Sequence, residues 1–273
     1  MEENYNKKFY AIIGENPSKG ARSPKLWNAC FKKFKINTKM FPIDIRREEF
    51  KNIFEKLINN KNYLGGAVAV PYKEDVFKKL KFCIEKKSKL SMAVNCIIRK
   101  KTLRAFNTDG EAAFMVLKNN KLQRKHKILL LGLGGAGKAV ASQLFTFSKK
   151  NLYVSGRSIQ SKMYANKNKI NFINWKERHN NLHYFDYIIN CTSCGFNNKQ
   201  TPINKKFLTN ITNKVFFDII YMPKKTKLLS IVEKKNKIIN GLEMNLFQAV
   251  LAFSKISKKY KFNKILKIMK KVK

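Results

Sequence analysis

Acidic side chains are scarce in this chain: of 273 residues only 17 are Asp or Glu, against 58 Lys or Arg, for a formal net charge of +41. Arginine is scarce as well. It occurs only as Arg22, Arg46, Arg47, Arg99, Arg104, Arg124, Arg157 and Arg178, so the charge is mostly lysine, spread through nearly every segment among abundant Asn, Ile and Phe. Base readers and phosphate clamps favour the bidentate guanidinium fork. The sequence has no Arg cluster and no zinc-finger, RNP-type or basic-zipper pattern. A drift toward lysine at solvated positions, as AT-rich codons impose, accounts for the balance without a nucleic-acid partner. Long apolar runs are missing too: no uncharged stretch approaches the roughly 18 residues that span a bilayer. The opening MEENYNKKFY carries no apolar signal region. Both absences point to a reduced cytoplasmic protein. Cysteines number five, at 30, 83, 96, 191 and 194, an odd count. Cys191-x-x-Cys194 has no second pair, and His126, His179 and His183 show no ligand spacing to it, so no metal site is expected.

What is present is a chain able to fold, with 44% hydrophobic and 12% aromatic residues. Its length suits one large domain or two modest ones. Phe9–Ile13 reads as a strand, and Phe50, Ile53, Phe54, Leu57 and Ile58 share one face of a helix starting near Arg47. Apolar runs follow at Tyr63–Val70, Ala93–Ile98 and Leu103–Phe106, then Asn107-Thr108-Asp109-Gly110. From Lys127 the signal strengthens: Ile128–Leu131 is the continuous run of a parallel strand buried on both faces. Short runs at Leu152–Val154, Tyr187–Ile189, Val215–Phe217 and Ile238–Ile239 come after it. Strands alternating with helices predict an α/β fold with mostly parallel sheets. The pattern places a domain boundary near 110–125 and turns fully helical after Gly241. The Lys-rich Phe262–Lys273 reads as a core-packing helix with a solvated face rather than a membrane-surface helix.

Gly132-Leu133-Gly134-Gly135-Ala136-Gly137 fits G-x-G-x-x-G, directly after a strand and before the predicted helix Lys138–Phe147. Gly132 allows the tight turn, Gly134 lets the backbone approach a pyrophosphate, and Gly137 lets the helix pack closely, with phosphates at the positive helix N-terminus. The next strand runs into Ser155-Gly156-Arg157-Ser158 with no acid for a ribose hydroxyl. NADP(H) is therefore the predicted cofactor, with Arg157 pairing the 2′-phosphate and Ser155 and Ser158 adding hydroxyls. Lys73 and Asp109 both follow first-domain strands, where such sheets present ligands, and are the candidate acid–base groups.

At this point the residues resemble the shikimate dehydrogenase family, from Gly14 to Gln248. The stretch Gly14-Glu15-Asn16-Pro17 through Arg22-Ser23-Pro24 is similar to its G-x-P…S-x-S-P segment, Gly65–Lys73 to G-x-N-V-T-x-P-x-K, and Met92–Cys96 to G-A-V-N-T. N-T-D-G is intact at 107–110. Ile189–Gly195 corresponds to I-N-A-T-P-x-G, Asp218–Thr226 to D-x-x-Y-x-P-x-x-T, and Gly241–Ala249 to G-x-x-M-L-x-x-Q-A. The resemblance implies NADPH-dependent, reversible reduction of 3-dehydroshikimate, with Lys73 and Asp109 as the proton-exchanging dyad. It further implies that Asn95 and Gln248 bind substrate hydroxyls, Ser23 and Tyr221 the carboxylate, and that Ile219 and Gly241 line the nicotinamide end. The organisation it implies is an N-terminal α/β substrate domain over 1–110, a Rossmann-type dinucleotide-binding domain over 111–240, and C-terminal helices over 241–273 that pack back on the first domain. The departures fall on substrate contacts: Ala21, Ala67 and Ala69 stand where the pattern has Ser, Asn and Thr. Three lost hydrogen bonds, one or more to a charged group, cost roughly 2–6 kcal/mol, so the substrate is shikimate held weakly or a close cyclic hydroxy acid. The net positive field would draw in an anionic cofactor and a carboxylate substrate.

Overall fold

The computed structural model describes residues 7–196 and 199–272. The chain divides into two compact units, Met1–Thr108 with Leu246–Lys273, and Asp109–Asn245.

In unit one, β1 (Phe9–Gly14), α1 (Ser23–Lys33), β2 (Met40–Asp44), α2 (Phe50–Asn59), β3 (Tyr63–Val68), α3 (Lys73–Lys79), β4 (Cys96–Arg99) and β5 (Leu103–Phe106) follow in order. The sheet order is β2-β1-β3-β4-β5. Helical crossovers keep β2, β1 and β3 parallel. The three residues Lys100–Thr102 are too few for a crossover, so β4 and β5 form an antiparallel hairpin, and β4 also runs antiparallel to β3. The sheet is thus mixed where the periodicity predicted a mostly parallel one. All six residues of β1 are buried. Phe9, Ala11 and Ile13 face a core with Phe54, Leu57 and Val76; Tyr10 faces the opposite core with Leu26, Trp27 and Phe31. The period of two along β1 is the reason both faces need cover.

Unit two opens with α4 (Asp109–Asn119), then β6 (Ile128–Leu131), α5 (Gly135–Phe147), β7 (Leu152–Gly156), α6 (Ile159–Lys167), β8 (Asn171–Asn174), β9 (Tyr187–Asn190), β10 (Val215–Asp218), α7 (Lys227–Val232) and β11 (Lys237–Ile239). Its sheet order is β11-β10-β9-β6-β7-β8, every pairing parallel. Renumbered within the unit this is the doubly wound 3-2-1-4-5-6 order, whose ligand crevice lies at the carboxyl ends of the strands where the order reverses. That point is the end of β6. The helix after it starts at Gly135, three residues earlier than predicted, because the last two motif glycines lie within its first turn.

The chain then runs through α8 (Leu242–Ser254) to α9 (Phe262–Met269). From Leu246 onward these residues complete unit one: Val250, Phe253, Ile265 and Met269 join the core of Tyr10, Leu26 and Trp27. Phe253 meets the Trp27 ring edge-on, with centroids 5.3 Å apart. Ile265 and Met269, one turn apart, are the buried stripe of α9, which leaves its lysines in water.

Candidate functional site

The glycine loop of unit two has a shape that follows from steric contact. Gly132 sits at φ +94°, where only glycine is comfortable, and its N–H donates to the Ser155 carbonyl at 2.7 Å, bracing β6 against β7. A Cβ on Gly137 would lie 1.9 Å from the Gly132 carbonyl oxygen, so α5 presses directly on the turn. A Cβ on Gly134 would meet nothing within 4 Å. Gly134 is exposed and Gly135 and Ala136 are half-buried, at the N-terminus of a 13-residue helix that no described side chain caps. Open space over uncapped amides at a helix N-terminus is what a pyrophosphate requires. The loop fits a dinucleotide.

At the end of β7 the three predicted residues separate. Arg157 and Ser158 are exposed, and Ser158 Oγ also caps α6 by accepting from Ser161 N at 3.2 Å. Ser155, expected to add a hydroxyl there, pairs with Leu131 and is fully buried, its Oγ enclosed. A 2′-phosphate at the surface does not reach it, so the Ser155 expectation is corrected. Ile219 follows β10 and donates its N–H to the Asn190 carbonyl at 3.1 Å; Gly241 packs so tightly there that a Cβ would fall 1.9 Å from the Ile219 carbonyl oxygen. Tyr221 is half-buried in the same turn, and Asp109, 4% exposed, lies in the first turn of α4, where a carboxylate suits the helix dipole.

A network missed in the sequence supports this turn. Asp218 is fully buried and accepts from Thr226 Oγ1 (2.7 Å), Ile220 N (3.1 Å) and Asn190 Nδ2 (3.1 Å). Asn190 Oδ1 in turn accepts from Thr192 N and Oγ1. Burial pushes the Asp218 carboxyl up to about 6, against the lowering effect of those three donors. Both motif segments holding these residues were legible; their mutual contact was not. The nearby Cys191 and Cys194 are free thiols, and burial holds the Cys191 thiol protonated.

In unit one the polar residues converge at the ends of β3 and β5. Lys73 opens α3, and its carbonyl accepts from Val94 N at 2.8 Å, placing it beside Asn95. Asn95, 3% exposed, donates from Nδ2 to Thr108 Oγ1 at 3.0 Å and to Gln248 Oε1 at 3.4 Å, while its Oδ1 accepts from Thr108 N at 2.9 Å. Thr108 Oγ1 also donates to the Gln248 carbonyl at 3.1 Å. The structure thus joins Asn95 and Gln248, 153 positions apart, through Thr108, which the sequence reading passed over inside N-T-D-G. Ser23, 6% exposed, lies in the first turn of α1. Ala67 and Ala69 sit at and just beyond the end of β3, where Ala69 N donates to the Ile13 carbonyl at 2.8 Å.

A glycine turn feeding a helix at the reversal point of a six-stranded parallel sheet, with arginine and no acid after the second strand, defines a Rossmann-type dinucleotide-binding unit, here joined to a second α/β unit. The family model described as the shikimate dehydrogenase substrate binding domain matches residues 12–97. A Clostridium beijerinckii protein named shikimate dehydrogenase (NADP(+)) is 32% identical over 250 residues, covering 89% of this chain and 90% of that protein. The protein of that name from Dictyoglomus thermophilum is 34% identical over 260 residues, covering 91% of each. The crystal structure of shikimate dehydrogenase from Aquifex aeolicus superposes with a TM-score of 0.83 at 28% identity, over 97% of this chain and 98% of that one. The chain belongs to the shikimate dehydrogenase family.

Proposed function

We propose that this protein is an NADP-dependent oxidoreductase interconverting 3-dehydroshikimate and shikimate, a step of aromatic amino-acid and chorismate biosynthesis. The observation that carries the reading is the open glycine cradle followed by Arg157 in place of an acid. The names of the C. beijerinckii and D. thermophilum relatives support the same cofactor and substrate. Bound NADP(H) supplies the hydride acceptor or donor. The amides of Gly134, Gly135 and Ala136 hold the pyrophosphate, Arg157 and Ser158 the 2′-phosphate, and Ile219 and Gly241 the nicotinamide end. On the substrate side Lys73 Nζ gives a proton to the carbonyl oxygen during reduction and takes it back during oxidation. Asp109 is the carboxylate that shares that proton with it. Asn95 and Gln248 hydrogen-bond substrate hydroxyls, and Ser23 and Tyr221 its carboxylate. A cytoplasmic setting suits the five free thiols, and no helix of the described residues is long and apolar enough to cross a membrane.

Ala21, Ala67 and Ala69 favour a second reading, in which the family member keeps NADP but has lost or changed shikimate turnover. Purified protein mixed with NADP and shikimate decides between them. Reduced nicotinamide accumulates on the first reading. On the second it does not, while NADPH still binds and quinate or another cyclic hydroxy acid is the next substrate to offer.

A further inference from the structure

Beyond Arg157, unit two carries a second guanidinium that no motif points to. The last pairing of β7 with β8 sets Gly156 opposite Asn174, so Arg157 and Trp175 emerge side by side from neighbouring strand ends. The Arg178 guanidinium lies over the Trp175 ring at 4.1 Å from its centroid, and that of Arg157 at 5.9 Å from the same centroid. Arg178 is fixed from behind: Nε donates to the Pro202 carbonyl and Nη1 to the Trp175 carbonyl, both at 2.5 Å. Neutral carbonyls satisfy hydrogens without cancelling charge. Among the described residues neither guanidinium lies within ion-pair distance of a carboxylate, although Glu177 is next in sequence to Arg178. Desolvation is the larger cost of holding Arg178 charged, and repulsion by the like charge of Arg157 on the same indole adds to it. A dianion between them would cancel the repulsion and offset the desolvation by direct attraction, and an already immobilised fork would bind it with little further loss of side-chain freedom.

We propose that Arg178, held on Trp175, is a specificity-determining residue that joins Arg157 in binding the 2′-phosphate of NADP(H). This rests on the NADP reading above and extends it to a residue outside the glycine and β7 motifs. The 2′-phosphate carries close to two negative charges at neutral pH, matching two guanidiniums, whereas NADH offers this corner only a hydroxyl.

The test is equilibrium binding of 2′,5′-ADP, 5′-AMP, NADPH and NADH to the full chain, unaltered and as Arg178→Gln and Arg178→Lys. Arg178→Gln is expected to weaken 2′,5′-ADP and NADPH by about 10- to 100-fold, the value of one charge-assisted contact, and to leave 5′-AMP and NADH within about twofold. Arg178→Lys, which keeps the charge and loses the fork and the stacking, falls between. Melting temperature shows that each variant is folded; if Arg178→Gln is not, Arg178→Lys decides by the ratio of 2′,5′-ADP to 5′-AMP affinity. An unchanged ratio, or equal weakening of all four ligands, overturns the role of Arg178 and leaves the NADP reading standing. If the unaltered protein itself fails to prefer 2′,5′-ADP over 5′-AMP, the NADP reading falls, and this role with it.

Discussion

Two glycines three residues apart in the cofactor loop should answer to the same substitution in opposite ways. At Gly134 the backbone has φ −75° and ψ −173°, an extended conformation any residue adopts, and an added Cβ meets nothing within 4 Å. Gly134→Ala therefore costs no packing, and by restricting the unfolded chain it stabilises by up to about 1 kcal/mol. The methyl does occupy the space over the amides where a pyrophosphate would lie. Losing one charge-assisted hydrogen bond there costs about 1.5–3 kcal/mol, a rise in the NADPH Kd of about tenfold to a hundredfold. Gly137→Ala places its Cβ 1.9 Å from the Gly132 carbonyl oxygen and 3.3 Å from Cys191 Cβ. The Gly132 backbone must give way and the Cys191 side chain adjust slightly, which costs about 1–3 kcal/mol, a fall in Tm of roughly 3–10 °C. Calorimetry in the absence of nucleotide, paired with fluorescence titration of NADPH, separates the two: Gly134→Ala keeps Tm and loses affinity, and Gly137→Ala loses Tm. Ordinary NADPH affinity in Gly134→Ala would refute the assignment of this loop as the phosphate cradle.

Asp218 makes a second prediction. Its folded pKa of about 6 lies above the ordinary 3.8, so between those values the native state binds more protons than the unfolded chain, and stability falls as pH rises through the window. The cost of ionising it approaches about 3 kcal/mol above pH 6. Asp218→Asn keeps an acceptor for Ile220 N and Asn190 Nδ2, so the difference in Tm between variant and parent should grow from pH 4 to 6 and then level; parallel profiles would contradict the buried-carboxyl account. Lys73→Ala should reduce kcat by a hundredfold or more, on the order expected for a general acid–base group, with NADPH binding unchanged; near-normal turnover would remove Lys73 from the chemistry. The triple change Ala21→Ser, Ala67→Asn and Ala69→Thr should tighten shikimate by about 30-fold to 10⁴-fold in KM if those methyls mark a weakened site, and an unchanged KM would show that they do not.

The central strands were readable because burial on both faces leaves an uninterrupted apolar signature, as in Ile128–Leu131. Of the edge strands, β5 and β11 were readable as short apolar runs, but β2 and β8 were not. β2 contains Pro42, which only an edge tolerates, and β8 is Asn-Phe-Ile-Asn, with polar residues at both ends. The antiparallel hairpin is encoded in the short Lys100–Thr102 connection, because apolar content alone does not encode strand direction. Local chemistry was legible where a loop must have a certain shape, so Gly132, Gly134 and Gly137 stood out. It was illegible where function depends on residues brought together from afar. Thr108 gains meaning from Gln248, Asp218 from Asn190, and Arg178 from the neighbouring strand end. Ser155 shows the converse error: a hydroxyl in the expected motif position that the pleat turns inward.

The join between Asn95, Thr108 and Gln248 has a consequence for how the protein is made. Unit two is one uninterrupted segment and can fold as it leaves the ribosome, whereas unit one is discontinuous. One of its two cores includes Phe253, Ile265 and Met269, near the very end of the chain. Until those residues are synthesised, the faces of Tyr10, Leu26, Trp27 and Phe31 have no cover, and Asn95 and Thr108 lack Gln248. The strands of residues 9–106 are thus completed only after unit two, and a chain cut before Leu246 should keep a folded dinucleotide-binding unit and an open, aggregation-prone sheet.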